Sequence, residues 1–152
     1  MNRVLGIIKA FFLILLLSSF NSDKDVTFNF TVEVNELRNS EGIVQFALYN
    51  RADAFPDEHF KKYLKVLTGK IINGSSSVTF QNLPEGKYAV NVLHDENIDG
   101  RINKGLIFPK EGIGFSNYEF LGFSNRPSFD RAYINLSGNL KIRVKIIYLS
   151  KK

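Results

Sequence analysis

VTFQNLPEGKYAVNVLHDENIDG, residues 78–100, decides the fold. Val78 and Phe80 alternate with polar neighbours. Asn82-Leu83-Pro84-Glu85-Gly86 has turn chemistry, and Tyr88, Val90 and Val92 then resume the alternation. Two period-two segments separated by proline and glycine predict two half-buried strands of an antiparallel sheet with a turn between them. The second segment runs straight into an acidic loop. Asp95, Asn97 and Asp99 alternate, and Gly100 follows at once. That is the spacing of a calcium loop, with oxygen ligands at positions 1, 3 and 5 and a glycine for the sharp turn.

The same period recurs on both sides. Phe28, Phe30, Val32 and Val34 alternate with Thr27, Asn29, Thr31 and Glu33. Val44, Phe46 and Leu48 alternate with Gln45 and Ala47. Leu140, Ile142, Val144, Ile146 and Tyr148 alternate with Lys141, Arg143 and Lys145. Weaker strands are expected near residues 65–72 and 132–136. The pattern predicts an all-β, Ig-like or prealbumin-like antiparallel β-sandwich of about seven strands, as one domain over residues 26–149. Two segments break the period. Asp53–Leu67 predicts a short helix, with Pro56 and acids early and Lys61 and Lys62 late. Asp95–Arg131 is a long connection carrying Phe108, Phe115, Tyr118, Phe120, Phe123 and Phe129. It is too aromatic for a disordered linker and is expected to fold over one end of the sandwich.

Residues 1–20 have the layout of a signal peptide. Arg3 and Lys9 precede the apolar run Ala10–Leu17, and small polar residues follow. That run is short for a membrane span, so no span is expected in the mature form. The expected location is periplasmic or extracellular. The chain has no cysteine, which removes disulfide frameworks and lipid attachment. Its formal charge of +5 falls to +3 without Arg3 and Lys9. The basic residues near the C-terminus alternate along a strand, as a wet face would, so nucleic acid is not an expected partner. A cell-envelope protein or glycan is.

The acidic loop has two readings. As a calcium site, Asp95, Asn97 and Asp99 give three side-chain oxygens, the Arg101 carbonyl a fourth, and Asn103 a direct or water-mediated contact. The bidentate Glu of an EF-hand would fall at Leu106 and is missing. Glu111 substitutes only if the chain folds back. As a plain turn, Asn and Asp side chains cap their own backbone and Gly100 supplies positive φ. His94 is a candidate base or zinc ligand, or else it fixes the loop's exit from the sheet. With His59 as the only other histidine, a zinc set of nitrogen and sulfur donors cannot be assembled. Ser116 and Asn117 follow a glycine-punctuated stretch, Pro109-Lys110-Glu111-Gly112 and Gly114-Phe115, where backbone segments can approach closely.

Taken in order, Leu83-Pro84-x-Gly86-x-Tyr88-Ala89, His94-Asp95-x-Asn97, Pro109-Lys110-Glu111-Gly112 and Gly114-Phe115-Ser116-Asn117 resemble the bacterial family called domain of unknown function 2141. The resemblance spans residues 26–148. It implies an exported single-domain β protein and no particular activity. Members often carry a further Asp where this chain has Asn103, which implies a weaker metal site here. The Leu-Pro-x-Gly-x-Tyr pattern also resembles the strand-turn of prealbumin-like and carboxypeptidase-regulatory-like sandwiches. The expected function is a non-catalytic binding or structural module, calcium-stabilised. The alternative is a hydrolase using His94 with Asp95 and Glu111. A third option is a subunit of an assembly joined through an exposed edge strand.

Overall fold

The computed structural model describes residues 26–57, 61–100, 102, 109–122 and 124–150. The signal-peptide expectation for residues 1–20 lies outside them, as do His59, Arg101, Asn103, Leu106, Phe108 and Phe123. In chain order the strands are β1 (Thr27–Val34), β2 (Ile43–Tyr49), β3 (Lys65–Gly69), β4 (Ser76–Pro84), β5 (Gly86–Asp95), β6 (Gly112–Phe115), β7 (Ile134–Leu136) and β8 (Leu140–Arg143). They form two sheets. One has the order β4-β1-β8, and the other β3-β2-β5-β6 with β7 beside the start of β5. The all-β two-sheet architecture is the one the alternation predicts. One pairing departs from the antiparallel rule: β8 lies parallel to β1, with Phe30 opposite Leu140 and Glu33 opposite Arg143.

The expected alternation fills the space between the sheets. Phe30, Val32 and Val34 of β1, Val44, Phe46 and Leu48 of β2, and Val90 and Val92 of β5 are fully buried there. Each such side chain contributes about 1.5–3 kcal/mol of burial. The two strands and the turn at residues 78–92 form as read, but the turn carries the chain from one sheet to the other, β4 lying in the first and β5 in the second, and its signature residues have a mechanical role. The Tyr88 hydroxyl donates to the Pro84 carbonyl at 3.0 Å, locking the turn between β4 and β5.

The second sheet is buried on its other face too. Tyr49, Ala47, Ala89, Leu93, Ile113 and Phe115 point away from the first sheet into a separate cluster with Phe55, Tyr118 and Phe129. Among the described residues the long connection therefore lies on the outer face of β2, β5 and β6, and not over an end as expected. Phe55, from the segment between β2 and β3, is the hub of this cluster, meeting Tyr49, Phe115 and Phe129 edge-on at 5.4, 5.6 and 6.3 Å between centroids. The connection also supplies β6, the strand the alternation does not reveal. A four-residue helix, α1 (Phe129–Ala132), ends it.

Two further expectations change. The helix over Asp53–Leu67 is replaced, among the described residues, by one 3-10 turn at Ala52–Ala54 and by β3 from Lys65. The Asp57 carboxylate accepts the backbone N–H groups of Lys61 and Lys62, both at 2.5 Å, which organises the chain locally instead. The final strand expected over residues 140–148 splits. It pairs with β1 as far as Val144, whose N–H donates to the Glu33 carbonyl at 2.9 Å. It then crosses to the other sheet, where Ile147 bridges Ile113.

Candidate metal centre at the end of β5

Side chains alternate faces along a strand, so His94 and Asp95 point in opposite directions. Asp95 belongs to the outer face with Asn91 and Leu93. It is fully buried, and its carboxylate organises the loop that follows. Oδ2 accepts from Gln45 Nε2 at 2.7 Å and from the Gly100 N–H at 2.8 Å, while Oδ1 accepts from the Asp99 N–H at 3.2 Å. Asn97 Oδ1 also accepts from the Asp99 N–H, at 3.1 Å, and its Nδ2 donates to Asp99 Oδ2 at 3.0 Å. Gly100 has φ +73°, the left-handed turn its sequence position predicts. Three hydrogen bonds on the roughly four acceptor sites of a carboxylate leave Asp95 about one lone pair.

Glu111 does fold back. It is buried, and Oε1 accepts from the Glu96 N–H at 3.1 Å. One carboxylate oxygen each from Asp95, Asp99 and Glu111 lies within 4.8 Å of the other two. The loop thus gathers oxygen donors from two sides of a long connection. The other two expected ligands, Arg101 and Asn103, lie outside the described residues.

Residues that the sequence does not single out brace this corner. Arg38 donates through Nε and Nη2 to Glu96, and Asn39 Nδ2 donates to the same carboxylate at 2.6 Å. These hydrogen bonds hold the Arg38 guanidinium above its ordinary pKa. Arg38 also reaches the Lys110 carbonyl at 2.9 Å, which joins the two ends of the acidic loop. Gln45 is visible as a brace only once β2 is registered against β5, with Gln45 opposite Leu93 and Ile43 opposite Asp95.

His94 sits on the inner face with no exposure. Nε2 contacts the Glu41 carbonyl at 3.0 Å and Nδ1 the Tyr148 hydroxyl at 2.7 Å. A carbonyl only accepts, so Nε2 carries the proton and Nδ1 accepts from Tyr148. Tyr148 in turn accepts the Arg38 N–H at 3.2 Å, and burial pushes its hydroxyl pKa up. Both nitrogens of His94 are spent on tying the loop before β2 to the C-terminal segment. The hydrolase constellation of His94 with Asp95 and Glu111 does not assemble, because the sheet separates the histidine from the two acids.

Ser116 and Asn117 are staples of the same kind. Ser116 Oγ is buried, accepts the Val90 N–H at 2.9 Å and donates to the Ala132 carbonyl at 2.7 Å. Asn117 has φ +62° and donates through Nδ2 to the Tyr133 carbonyl at 3.1 Å. Together they pin the end of β6 to α1. Gly112 and Gly114 fall on the inner face of β6, beneath the crossing C-terminal segment. A Cβ on Gly112 would overlap the Tyr148 ring, and one on Gly114 would lie 2.5 Å from the Lys145 carbonyl oxygen.

These features define a two-sheet β domain with an oxygen-rich loop and a buried histidine strap. The chain belongs to the bacterial family described as uncharacterised proteins conserved in bacteria, domain of unknown function 2141, whose sequence model matches residues 32–143. None of the curated proteins compared with it matches. Among solved structures it is similar to a fimbrial assembly protein from Parabacteroides distasonis, at 11% identity and a TM-score of 0.39. The similarity covers 82% of this chain and 54% of the other, so this chain spans about half that protein's length. Among the described residues, no helix is long and apolar enough to cross a membrane.

Proposed function

We propose that this protein is an exported, non-catalytic binding or structural module whose acidic loop takes up calcium. The observation that carries the metal reading is the return of Glu111 to Asp95 and Asp99. An all-oxygen, carboxylate-rich set suits a hard cation, and calcium tolerates the irregular geometry of a loop built from three separate positions. The Asn97 amide oxygen is the next donor in line. The Arg101 carbonyl and Asn103 complete the proposed set. Bringing three carboxylates together costs repulsion, which a divalent cation removes. The cation would therefore lock β5, the loop and the start of β6 into one unit.

A weak site is expected, with Kd on the order of 10⁻⁴–10⁻³ M, the range of extracellular modules. About 10 mM calcium should raise the melting temperature by a few degrees relative to chelator. Asp99→Ala should abolish the rise while leaving the hydrogen bonds to Asp95 in place. Asp130→Ala, on the exposed side of α1, should preserve it. Identical melts with calcium and chelator would leave the hydrogen-bonded turn around Asp95 as the whole role of the loop.

Export rests on the basic and apolar pattern of residues 3–17. N-terminal sequencing of protein recovered outside the cytoplasm should begin between positions 19 and 25. Recovery of intact Met1 in the soluble cytoplasm would overturn it. The partner class proposed is a cell-envelope protein or glycan.

A further inference from the structure

The layer between the second sheet and its covering connection is not completely filled. A cavity of about 160 Å³ lies there, with Pro56, Asn91, Ile102, Ile113, Phe115 and Leu121 among its walls. The walls are apolar with two exceptions, Asp57, whose carboxylate accepts the Lys61 and Lys62 N–H groups, and Asn91. Asn91 is 1% exposed, sits mid-strand on β5, and has no hydrogen-bond partner on either atom of its carboxamide. The Tyr49 hydroxyl, on the same face of β2, is also buried and without a hydrogen bond. It approaches Asn91 without reaching bonding geometry. Burial pushes the Tyr49 pKa upward, so the hydroxyl keeps its proton as a donor.

Leaving such groups unpaired costs about 1–3 kcal/mol each. A leucine or valine at position 91 would avoid that cost and fill the same layer. A buried, unpaired polar group set among mostly apolar walls is how small-molecule sites fix the orientation of a ligand. The chemistry of the ligand follows from the walls. A carboxamide presents a donor and an acceptor side by side, and its complement is a second amide edge offering an acceptor and a donor. The volume matches one six-membered ring, since a cavity of about 150 Å³ takes benzene. Apolar walls with the Asp57 carboxylate among them disfavour an anionic ligand, which would be both desolvated and repelled.

We propose that this cavity binds a small neutral ring compound bearing one carboxamide or lactam edge. Asn91 is the polar anchor, and Ile113, Phe115 and Leu121 hold the ring. The site is separate from the metal loop: Asn91 and Asp95 share a face of β5 but stand roughly 13 Å apart along the strand. It therefore stands or falls independently of calcium.

Benzamide is the probe, titrated into the purified protein and followed by NMR, with toluene and benzoate alongside. Benzamide should bind saturably, with contacts from its ring protons to the methyl groups of Ile113 and Leu121. Toluene and benzoate should each bind at least about tenfold more weakly, the equivalent of one lost hydrogen bond or one uncompensated charge. Asn91→Leu, checked for folding by circular dichroism, should lose the preference for benzamide over toluene. If that variant does not fold, the wild-type preference and the methyl contacts decide alone. No binding at millimolar benzamide, as a merely water-filled cavity would give, overturns the proposal. Equal affinity for toluene, or contacts to methyl groups elsewhere, does the same.

Discussion

Phe115→Ala should lower the unfolding free energy by about 3–5 kcal/mol, the cost of removing a buried phenyl ring. Phe115 is 5% exposed and holds three parts of the outer layer together. Its ring meets Phe55 at 5.6 Å and Tyr118 at 6.1 Å, both edge-on, and its backbone lies opposite Asn91 in the ladder. The layer already contains a cavity, so the neighbours have little density with which to collapse into the new space. That places the expected cost toward the upper end of the range. Urea titration monitored by tyrosine fluorescence measures it. A change inside about 0.5 kcal/mol would mean the ring is solvated and the outer layer is not a core.

Gly114→Val should also be strongly destabilising, for the opposite reason. The added Cβ would meet the Lys145 carbonyl oxygen at 2.5 Å and a Val144 methyl at 2.9 Å. The first of these is backbone and cannot rotate away. Overpacking a well-filled contact costs about 1–3 kcal/mol, and more where main chain must move. The strand crossing of the C-terminal segment over β6 would open. Limited proteolysis should then cut within residues 144–150 of the variant and leave the same residues of the wild-type protein intact. Gly122→Ala is the matched control, because nothing lies within 4 Å of its would-be Cβ. Equal melting temperatures for Gly114→Val and the control would refute the close approach.

The inner core was legible because each strand facing it is wet or differently packed on its other side. Phe30, Val32 and Val34 stand out against Thr31 and Glu33 for that reason. The outer core was much less so. On β5 the residues from Tyr88 to Asp95 are buried on both faces, so Ala89, Asn91 and Leu93 broke no pattern that would betray a second layer. β6 was hidden because half of its residues are glycine, chosen for the approach of Ile146 and Tyr148 and not for strand propensity. The corner between β3 and β4 carries a turn signal of its own. Asn73 and Gly74 have φ of +50° and +71°, as an Asn-Gly pair in a tight turn requires. For the metal loop, the first ligands were readable from spacing alone. Glu111 was readable only as a condition, since whether the chain returns depends on Arg38, Glu96 and Lys110 meeting across distant positions. His94 was misleading as a catalytic candidate because its adjacency to Asp95 in sequence is opposition in space.

The parallel pairing of β8 with β1 sets the order in which the molecule can be completed. Arg143 and Glu33, joined by a 3.0 Å ion pair across that ladder, are 110 positions apart. Loop closure over such a span must precede any reward from the contact, and topologies of this kind fold slowly. Until residues 140–148 arrive, β1 keeps one ladder edge open and β6 lacks its lid. A chain still folding therefore passes through a stage in which a strand edge is available to any other extended polypeptide. The closing segment works as a clasp, and both sheets are sealed only once residues 140–148 have engaged.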